Sequence, residues 1–398
     1  MKVAHITTID MSLRYLLFNQ LRSIQHAGYQ VVGISSPGPD VPVIEAAGIR
    51  HIPIPMTRNV TPLADLVSLW RLYWIMRRER FTIVHAHTPK AELLGQVAAR
   101  IAGVPIVVDT FRGIYFRNDM HPLWRRLFIA MSKIAARCAA VVLSQSSANI
   151  QMAIREGICP PEKIKYLGNG IDVQQFDRSA LDPEMLERKR RDLDLPSSVS
   201  VIGFVGRLVA EKGIWELLQA AYTILQQIPT ARFLIIGPID YDKPDALTPD
   251  IARDYNITDA CIFTGMRQDM PELYALMDVF VFPSHRESFP RSPMEASAMG
   301  VPCVATDIPG CREAVEHELN GLMVPPGDVQ ALADAIVELL TDQEKARRMG
   351  EEGRRMALER FDEQLIFEKV KLEYARLLQA KGLTLPQQTE MTSKETLS

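Results

Sequence analysis

Residues Asp278–Pro302 read DVFVFPSHRESFPRSPMEASAMGVP. The opening DVFVFP is a short run of valine and phenylalanine, the composition of a buried strand. The closing MEASAMG is helix-like. Between them, Glu287 and Glu295 stand eight positions apart. On one regular helix they would sit about 80° apart and roughly 12 Å along the axis, too far for a shared proton or a metal clamp. Pro290 and Pro293 also argue against a helix beginning before about Ser292. The segment therefore reads as strand, loop, helix, with Glu287 in the loop at the strand's carboxyl end and Glu295 in the first turn of the helix. Ligands bind at such strand ends in open α/β sheets. A surface loop with solvated acids is the competing reading.

The same alternation extends in both directions. A first series of apolar strand candidates lies at Val3–Thr7, Val31–Ser35, Ile83–His87, Ile106–Thr110, Val141–Ser144 and Ile164–Leu167, separated by amphipathic stretches such as Leu13–Ala27 and Leu63–Arg78. A second lies at Val201–Val205, Phe233–Ile236, Ile262–Thr264, Val279–Phe282, Cys303–Thr306 and Leu322–Val324. Its helices are expected at Gly213–Gln227, Met270–Met277, Pro293–Met299, Val329–Leu340 and Gln343–Arg360. Strands alternating with helices predict parallel sheets with right-handed crossovers. The fold class is α/β, with two Rossmann-like domains facing each other across a cleft. The domains are expected over residues 1–180 and 198–360, joined by the charged, proline-bearing stretch Asp177–Ser200. A last helix over 361–380 should cross back to the first domain. The polar, aperiodic residues 381–398 read as a disordered tail.

A chain of 398 residues is too long for one ordinary core. Hydrophobic content of 47% and charged content of 23% fit a soluble globular protein. No apolar run reaches the ~18 residues needed to span a bilayer, and MKVAHITTID reads as a first strand, not a signal peptide. The five cysteines contain no CxxC pair, which suggests reduced thiols, a cytoplasmic setting and no zinc site. His85 and His87 share one face of a strand. With no cysteine or third histidine nearby in sequence, they read as structural or ligand-facing, with a metal role as the competing reading. The net charge of −3 hides an asymmetry: Met1–Arg191 carries 25 Lys+Arg against 15 Asp+Glu, and the remainder is acidic. The basic half is expected to meet something anionic.

After the strand Val201–Val205 comes GRLVAEKG, residues Gly206–Gly213, and then a helix. A helix N-terminus offers unpaired N–H groups and the positive end of a dipole. Arg207 can fork onto phosphate oxygens and Lys212 adds a point charge. The turn is neither GxGxxG nor a Walker loop, so neither dinucleotide nor P-loop chemistry is supported. A cationic turn for a diphosphate and carboxylates for sugar hydroxyls together describe a nucleotide-sugar site. A turn with solvated cations is the alternative.

GRLVAEKG, the ESFPRSPME segment and GNGID..F (Gly168 to Phe176) resemble the retaining, GT-B-fold glycosyltransferases of family 4, from Lys2 to about Leu378. The resemblance implies an acceptor-binding first domain, a second domain holding a nucleotide-diphosphate sugar (UDP-sugar favoured), no cofactor and no metal. It implies that Arg207 and Lys212 bind the diphosphate beside Gly206, that Glu295 takes the ribose hydroxyls and that Glu287, as the catalytic carboxylate, takes those of the transferred sugar. Backbone groups of Ser288, Phe289, Pro290, Arg291 and Ser292 would approach sugar and phosphate, with Arg267 flanking the base.

Two departures stand in the first domain. Many relatives carry a Gly-rich loop after the first strand; here Asp10-Met11-Ser12-Leu13-Arg14 has no glycine, leaving Ser12 and Arg14, with His87, as acceptor-side candidates. Relatives commonly place a histidine in a T-x-H-G run near the reacting carbon; here the run is Thr110-Phe111-Arg112-Gly113. Arg112 can clamp sugar or phosphate but cannot act as a neutral base.

Leu66–Phe81 sets Trp70, Tyr73 and Trp74 among arginines, and Tyr115–Arg126 repeats the theme. Both suit an anionic membrane surface or a polyprenyl-diphosphate-linked acceptor. For Leu66–Phe81 a core-facing helix with solvated arginines competes. Nucleic acid is not supported. The expectation is a retaining hexosyltransferase of polysaccharide or cell-envelope biosynthesis, cytoplasmic and peripheral on the inner membrane face, acting on a hydroxyl of a lipid-linked or cell-envelope glycan. The alternatives are a catalytically silent sugar-nucleotide-binding subunit and a nucleotide-sugar epimerase of the same architecture.

Overall fold

The computed structural model describes residues 1–113, 120–241, 243 and 245–386. The chain forms two compact units, one of Met1–Gly168 with the residues from Ile366 onward, the other of Asn169–Leu365.

The first unit contains β1 (Lys2–Ile9), β2 (Gln30–Ser36), β3 (Arg50–Pro53), β4 (Ile83–Ala86), β5 (Ile106–Phe111), β6 (Val141–Ser144) and β7 (Ile164–Tyr166). They form one sheet in the order β3-β2-β1-β4-β5-β6-β7, and every pairing is parallel. Every residue of β4 and β5 is buried, as expected of central parallel strands covered on both faces. Such strands are legible as continuous apolar runs. β3, the RHIP segment, was not anticipated. Among the described residues it pairs with β2 alone, and an edge tolerates its charge and proline. The helical stretch after β1 begins at Asp10, not Leu13, and passes through a π-helical turn, Leu13–Leu17, before the α-helix Phe18–His26. The last helix, Glu363–Ala380, places Val370, Tyr374, Leu377 and Leu378 in this unit's core.

The second unit contains β8 (Val201–Val205), β9 (Arg232–Ile236), β10 (Cys261–Gly265), β11 (Val279–Phe282), β12 (Cys303–Thr306) and β13 (Gly321–Val324). The order is β10-β9-β8-β11-β12-β13, again all parallel. The helix Ile214–Gln227 buries Ile214, Leu217, Leu218, Ala221 and Ile224, the spacing of one helical face, and packs against the helix Val329–Thr341. Truncating a fully buried leucine such as Leu217 to alanine costs about 2–5 kcal/mol.

Two expectations are corrected here. The helix after β11 runs over Arg291–Ala298 with Pro290 as its N-cap, so Glu295 is its fifth residue and lies beyond the first turn. Residues 177–200 do not bridge the units: Leu181, Leu186, Leu193 and Val199 pack on the second core, and the helix Pro183–Asp192 lies within that unit. The chain leaves the first unit at Gly168. Within the tail expected over 381–398, residues 387–398 lie outside the described residues, as do 115–119 of the Tyr115–Arg126 segment.

Each sheet reverses its strand order once, between β1 and β4 in the first unit and between β8 and β11 in the second. The carboxyl ends of those strands flank a switch point, where open α/β sheets bind ligands. GRLVAEKG follows β8 and the Glu287 loop follows β11, so the two segments chosen from sequence meet at one switch point.

Candidate active site

The turn after β8 is shaped by close backbone approach. Gly213 has φ of +75°, and a Cβ there would lie 2.0 Å from the Pro283 carbonyl oxygen at the end of β11. A side chain is excluded both by conformation and by space. This contact seats the 3₁₀ turn Ala210–Lys212 against the loop that carries Glu287. Further hydrogen bonds tie them. The His285 N–H donates to the Glu211 carbonyl at 3.0 Å, Arg286 Nε donates to Glu211 Oε1 at 2.8 Å, and Lys212 Nζ donates to Glu287 Oε1. Ser284 Oγ donates to the same Glu287 oxygen at 2.9 Å. On the other side, a Cβ at Gly310 would lie 2.2 Å from the Glu287 carbonyl oxygen, so only glycine lets this loop lie down.

Arg207 is not a bare cation: its Nη1 donates to Asp240 Oδ2 at 2.5 Å. The Gly206 N–H is spent on the Ile236 carbonyl at 2.9 Å. Arg267 forks onto Asp269 at 2.8 and 2.5 Å, and Asp269 also receives Lys189. These ionic hydrogen bonds hold the Asp269 carboxyl far below the usual carboxylate range.

Glu295 accepts from the hydroxyl of Tyr274 at 2.9 Å, and Arg291 Nε lies 3.9 Å from its other oxygen. Burial raises the Glu295 carboxyl above its ordinary value; Arg291 and Tyr274 offset part of the rise. Ser292 adds its carbonyl to the fully buried Tyr274 at 3.2 Å. Phe289 and Pro290 are buried; the Phe289 ring stands edge-on to Phe361 at 5.9 Å and its carbonyl accepts from Asn169 Nδ2 at 2.9 Å. Their side chains anchor the loop, and Ser288 stays half-buried between Glu287 and that anchor. Sequence reasoning gave no role to Tyr274, Asp240, Ser284, Asn169 and Gly310: Tyr274, Asp240 and Gly310 act as partners to visible residues and carry no motif of their own, while Ser284 and Asn169 lie inside segments singled out from sequence without a role of their own.

In the first unit, Ser12 closes the helical turn after β1. Arg14 lies in the π-helical turn, its guanidinium 4.6 Å from the Phe18 ring centroid. His87 is buried and belongs to a group of three. The third histidine, which the sequence did not place nearby, is His5: the parallel register sets it beside His85. One ring nitrogen from each lies within 4.8 Å of the others, yet both nitrogens of His85 already bond, to Tyr374 at 2.7 Å and Thr110 at 2.6 Å. Burial, reinforced by the Arg112 charge, pushes His5 down to about 3 and holds His85 and His87 well below the imidazole range. Arg112, half-buried just beyond β5, thus sits beside three neutral rings. Its charge also reaches buried Glu92, whose carboxyl is raised by burial and by Asp109.

Residues 186–356 match the family Glycosyl transferases group 1, and residues 15–175 match Glycosyltransferase Family 4. The capsular polysaccharide biosynthesis glycosyltransferase CapM of Staphylococcus aureus is 31% identical over 389 residues, covering 95% of this chain and 97% of its own. The chain belongs to the group 1, family 4 glycosyltransferases. A second relative, the Escherichia coli UDP-Gal:alpha-D-GlcNAc-diphosphoundecaprenol alpha-1,3-galactosyltransferase, is 30% identical over 72% of this glycosyltransferase and 74% of its own chain. Among solved structures, Anabaena Alr3699/HepE in complex with UDP-glucose superposes with a TM-score of 0.80 at 22% identity, over 94% of this chain and 100% of that one. A Rickettsia africae glycosyltransferase does so with a TM-score of 0.80 at 21% identity, over 95% and 98%. The fold is GT-B, and the enzyme is a nucleotide-sugar-dependent glycosyltransferase. No helix among the described residues is long and apolar enough to cross a membrane.

Proposed function

We propose that this glycosyltransferase moves a hexose from a UDP-sugar to a hydroxyl of a lipid-linked, cell-envelope glycan, with retention of configuration. One observation carries the donor reading: Arg207 and Lys212 from the turn after β8 share a switch point with Glu287 and Glu295 from the segment after β11. The departing diphosphate gathers negative charge. Arg207, Lys212 and the N-terminus of the helix Ile214–Gln227 stabilise that charge without a metal. Glu287, released from Lys212 as the phosphates arrive, accepts from the hexose hydroxyls, and Glu295 accepts from the ribose. Arg267 flanks the base, and the backbone of Ser288–Ser292 lies along sugar and phosphate. Ser12, Arg14 and His87 belong to the acceptor side, with Arg112 a fixed cation at the reacting carbon. The names of the two relatives support the acceptor class.

A peripheral membrane location is supported by two helices of the first unit that flank the helix Pro89–Ala102. Pro62–Glu79 turns Leu72 and Met76 inward and exposes Leu63, Leu66, Trp70 and Trp74 beside Arg71 and Arg78. Pro122–Cys138 exposes Leu123, Trp124 and Leu127 beside Arg126.

The reading is tested by incubating the protein with labelled UDP-sugars and membrane lipid extract. Transfer to lipid, lost in Glu287→Ala and Lys212→Ala, is the expected result, and the anomeric configuration of the product reads retention. Arg112 in place of the family's histidine keeps a second reading, a silent sugar-nucleotide-binding subunit. Tight nucleotide binding with neither transfer nor donor hydrolysis would establish that reading instead.

A further inference from the structure

A buried file of polar groups runs through the first unit and takes no part in the donor site. His87 Nε2 lies 2.9 Å from His5 Nδ1, and His5 Nε2 lies 3.5 Å from the Tyr374 hydroxyl. That hydroxyl lies 2.7 Å from His85 Nδ1, and His85 Nε2 lies 2.6 Å from Thr110 Oγ1. The five residues come from β1, the β4 end, β5 and the last helix, and none is more than 1% exposed. The file ends at His87 Nδ1, which is buried and has no hydrogen-bond partner among the described residues.

A neutral imidazole has one donor and one acceptor nitrogen. Each tautomer in the file is therefore fixed by its neighbour, and the single hydrogen of the Tyr374 hydroxyl decides between two arrangements. If Tyr374 donates to His85, then His85 Nε2–H donates to Thr110, His5 donates to Tyr374, His87 donates to His5, and His87 Nδ1 is left as an acceptor. If Tyr374 donates to His5, every bond reverses, Thr110 donates to His85, and His87 Nδ1 carries a hydrogen. A buried network with an open end is costlier than an apolar core of the same shape. Stability alone does not account for it, and each unsatisfied buried group calls for an explanation.

We propose that Tyr374 is a positioning residue for the reaction centre: through His85 its hydroxyl holds Thr110, and with it the end of β5 that leads into Arg112. The same hydroxyl sets whether His87 Nδ1 presents a lone pair or a hydrogen at the carboxyl end of β4. The inference rests on the placing of Arg112 at the reacting carbon.

The test is Tyr374→Phe in the full chain, which keeps the ring and removes the hydroxyl. The expected result is a fall in kcat on the order of tenfold, the scale of one lost hydrogen bond, with the donor KM within about twofold of the wild type. The ¹⁵N signals of His85 should change from one tautomer to a mixture. An unchanged kcat in a folded Tyr374→Phe protein overturns the proposal. So does stoichiometric zinc bound by the three histidines in the purified protein. If Tyr374→Phe does not fold, Thr110→Val and Thr110→Ser decide: the valine should lower kcat and the serine should recover most of the loss, and equal losses overturn the proposal. If the wild type transfers no sugar, the glycosyl-transfer reading fails separately. The inference is then read from the Arg112 Nε–H signal, which shifts in Tyr374→Phe if the hydroxyl positions the segment and stays in place if it does not.

Discussion

Lys212 donates to Glu287 across the two turns that close β8 and β11. The side chains are 18% and 12% exposed, so each meets the other in place of most of its water. Lys212→Ala leaves Glu287 still held by the Ser284 hydroxyl but without its lysine. The expected loss of stability is about 1–3 kcal/mol, the cost of an unmet charged hydrogen bond at a partly wet site, read from the denaturant midpoint. Glu287→Gln should be milder on stability, because an amide still accepts from lysine, yet severe on transfer. A Glu287→Gln enzyme with wild-type kcat would remove Glu287 from the sugar.

Glu295 links affinity to pH. Its folded-state pKa lies above the ordinary 4.5 through burial, so its own contribution to stability is present at low pH and is lost as pH rises through the folded value. Ribose hydroxyls need the opposite form, the carboxylate. Nucleotide affinity should therefore weaken as pH falls through the raised value. Glu295→Gln should lower affinity about tenfold and flatten that dependence. Calorimetric titration at a series of pH values checks both, and a pH-independent wild type would exclude the ribose contact.

Gly213→Ala should destabilise the second unit by about 1–3 kcal/mol through backbone strain alone, and by more if the Pro283 carbonyl cannot move from the 2.0 Å contact. Because the turn carries Lys212, donor affinity should fall with it. Alanine at this site with both quantities unchanged would show that the turn can re-form elsewhere.

Trp70 and Trp74 stand edge-to-face at 6.2 Å on the outer face of their helix. Replacing both with serine should change stability by less than about 1 kcal/mol, as exposed positions do, while sharply reducing co-sedimentation with anionic vesicles. The wild-type interaction should weaken with salt. Equal sedimentation of variant and wild type would place the membrane contact elsewhere.

How far these features were legible depended on whether each lay in one contiguous segment. The strands of both switch points are buried on both faces and stand out as apolar runs, and the turns that follow β8 and β11 are each continuous in sequence. β3 was invisible because an edge strand needs no apolar run. Asp240 and Tyr274 were invisible because the ion pair with Arg207 and the hydrogen bond to Glu295 depend on which helix or loop packs nearby. His5 could be joined to His85 only through the register of two strands distant in sequence, and Tyr374 only through the return of the last helix.

That return has a consequence for the order of synthesis. Val370, Tyr374 and Leu378 complete a core whose strands end at Tyr166, so the first unit to leave the ribosome is the last to be finished. Until the final helix emerges, His5 and His85 lack the tyrosine hydroxyl between them, and the sheet around them has an uncovered apolar side. The second unit is contiguous and can close first. A nascent chain halted at Leu365, where the second unit ends, would hold one finished unit and one that still waits for its lid.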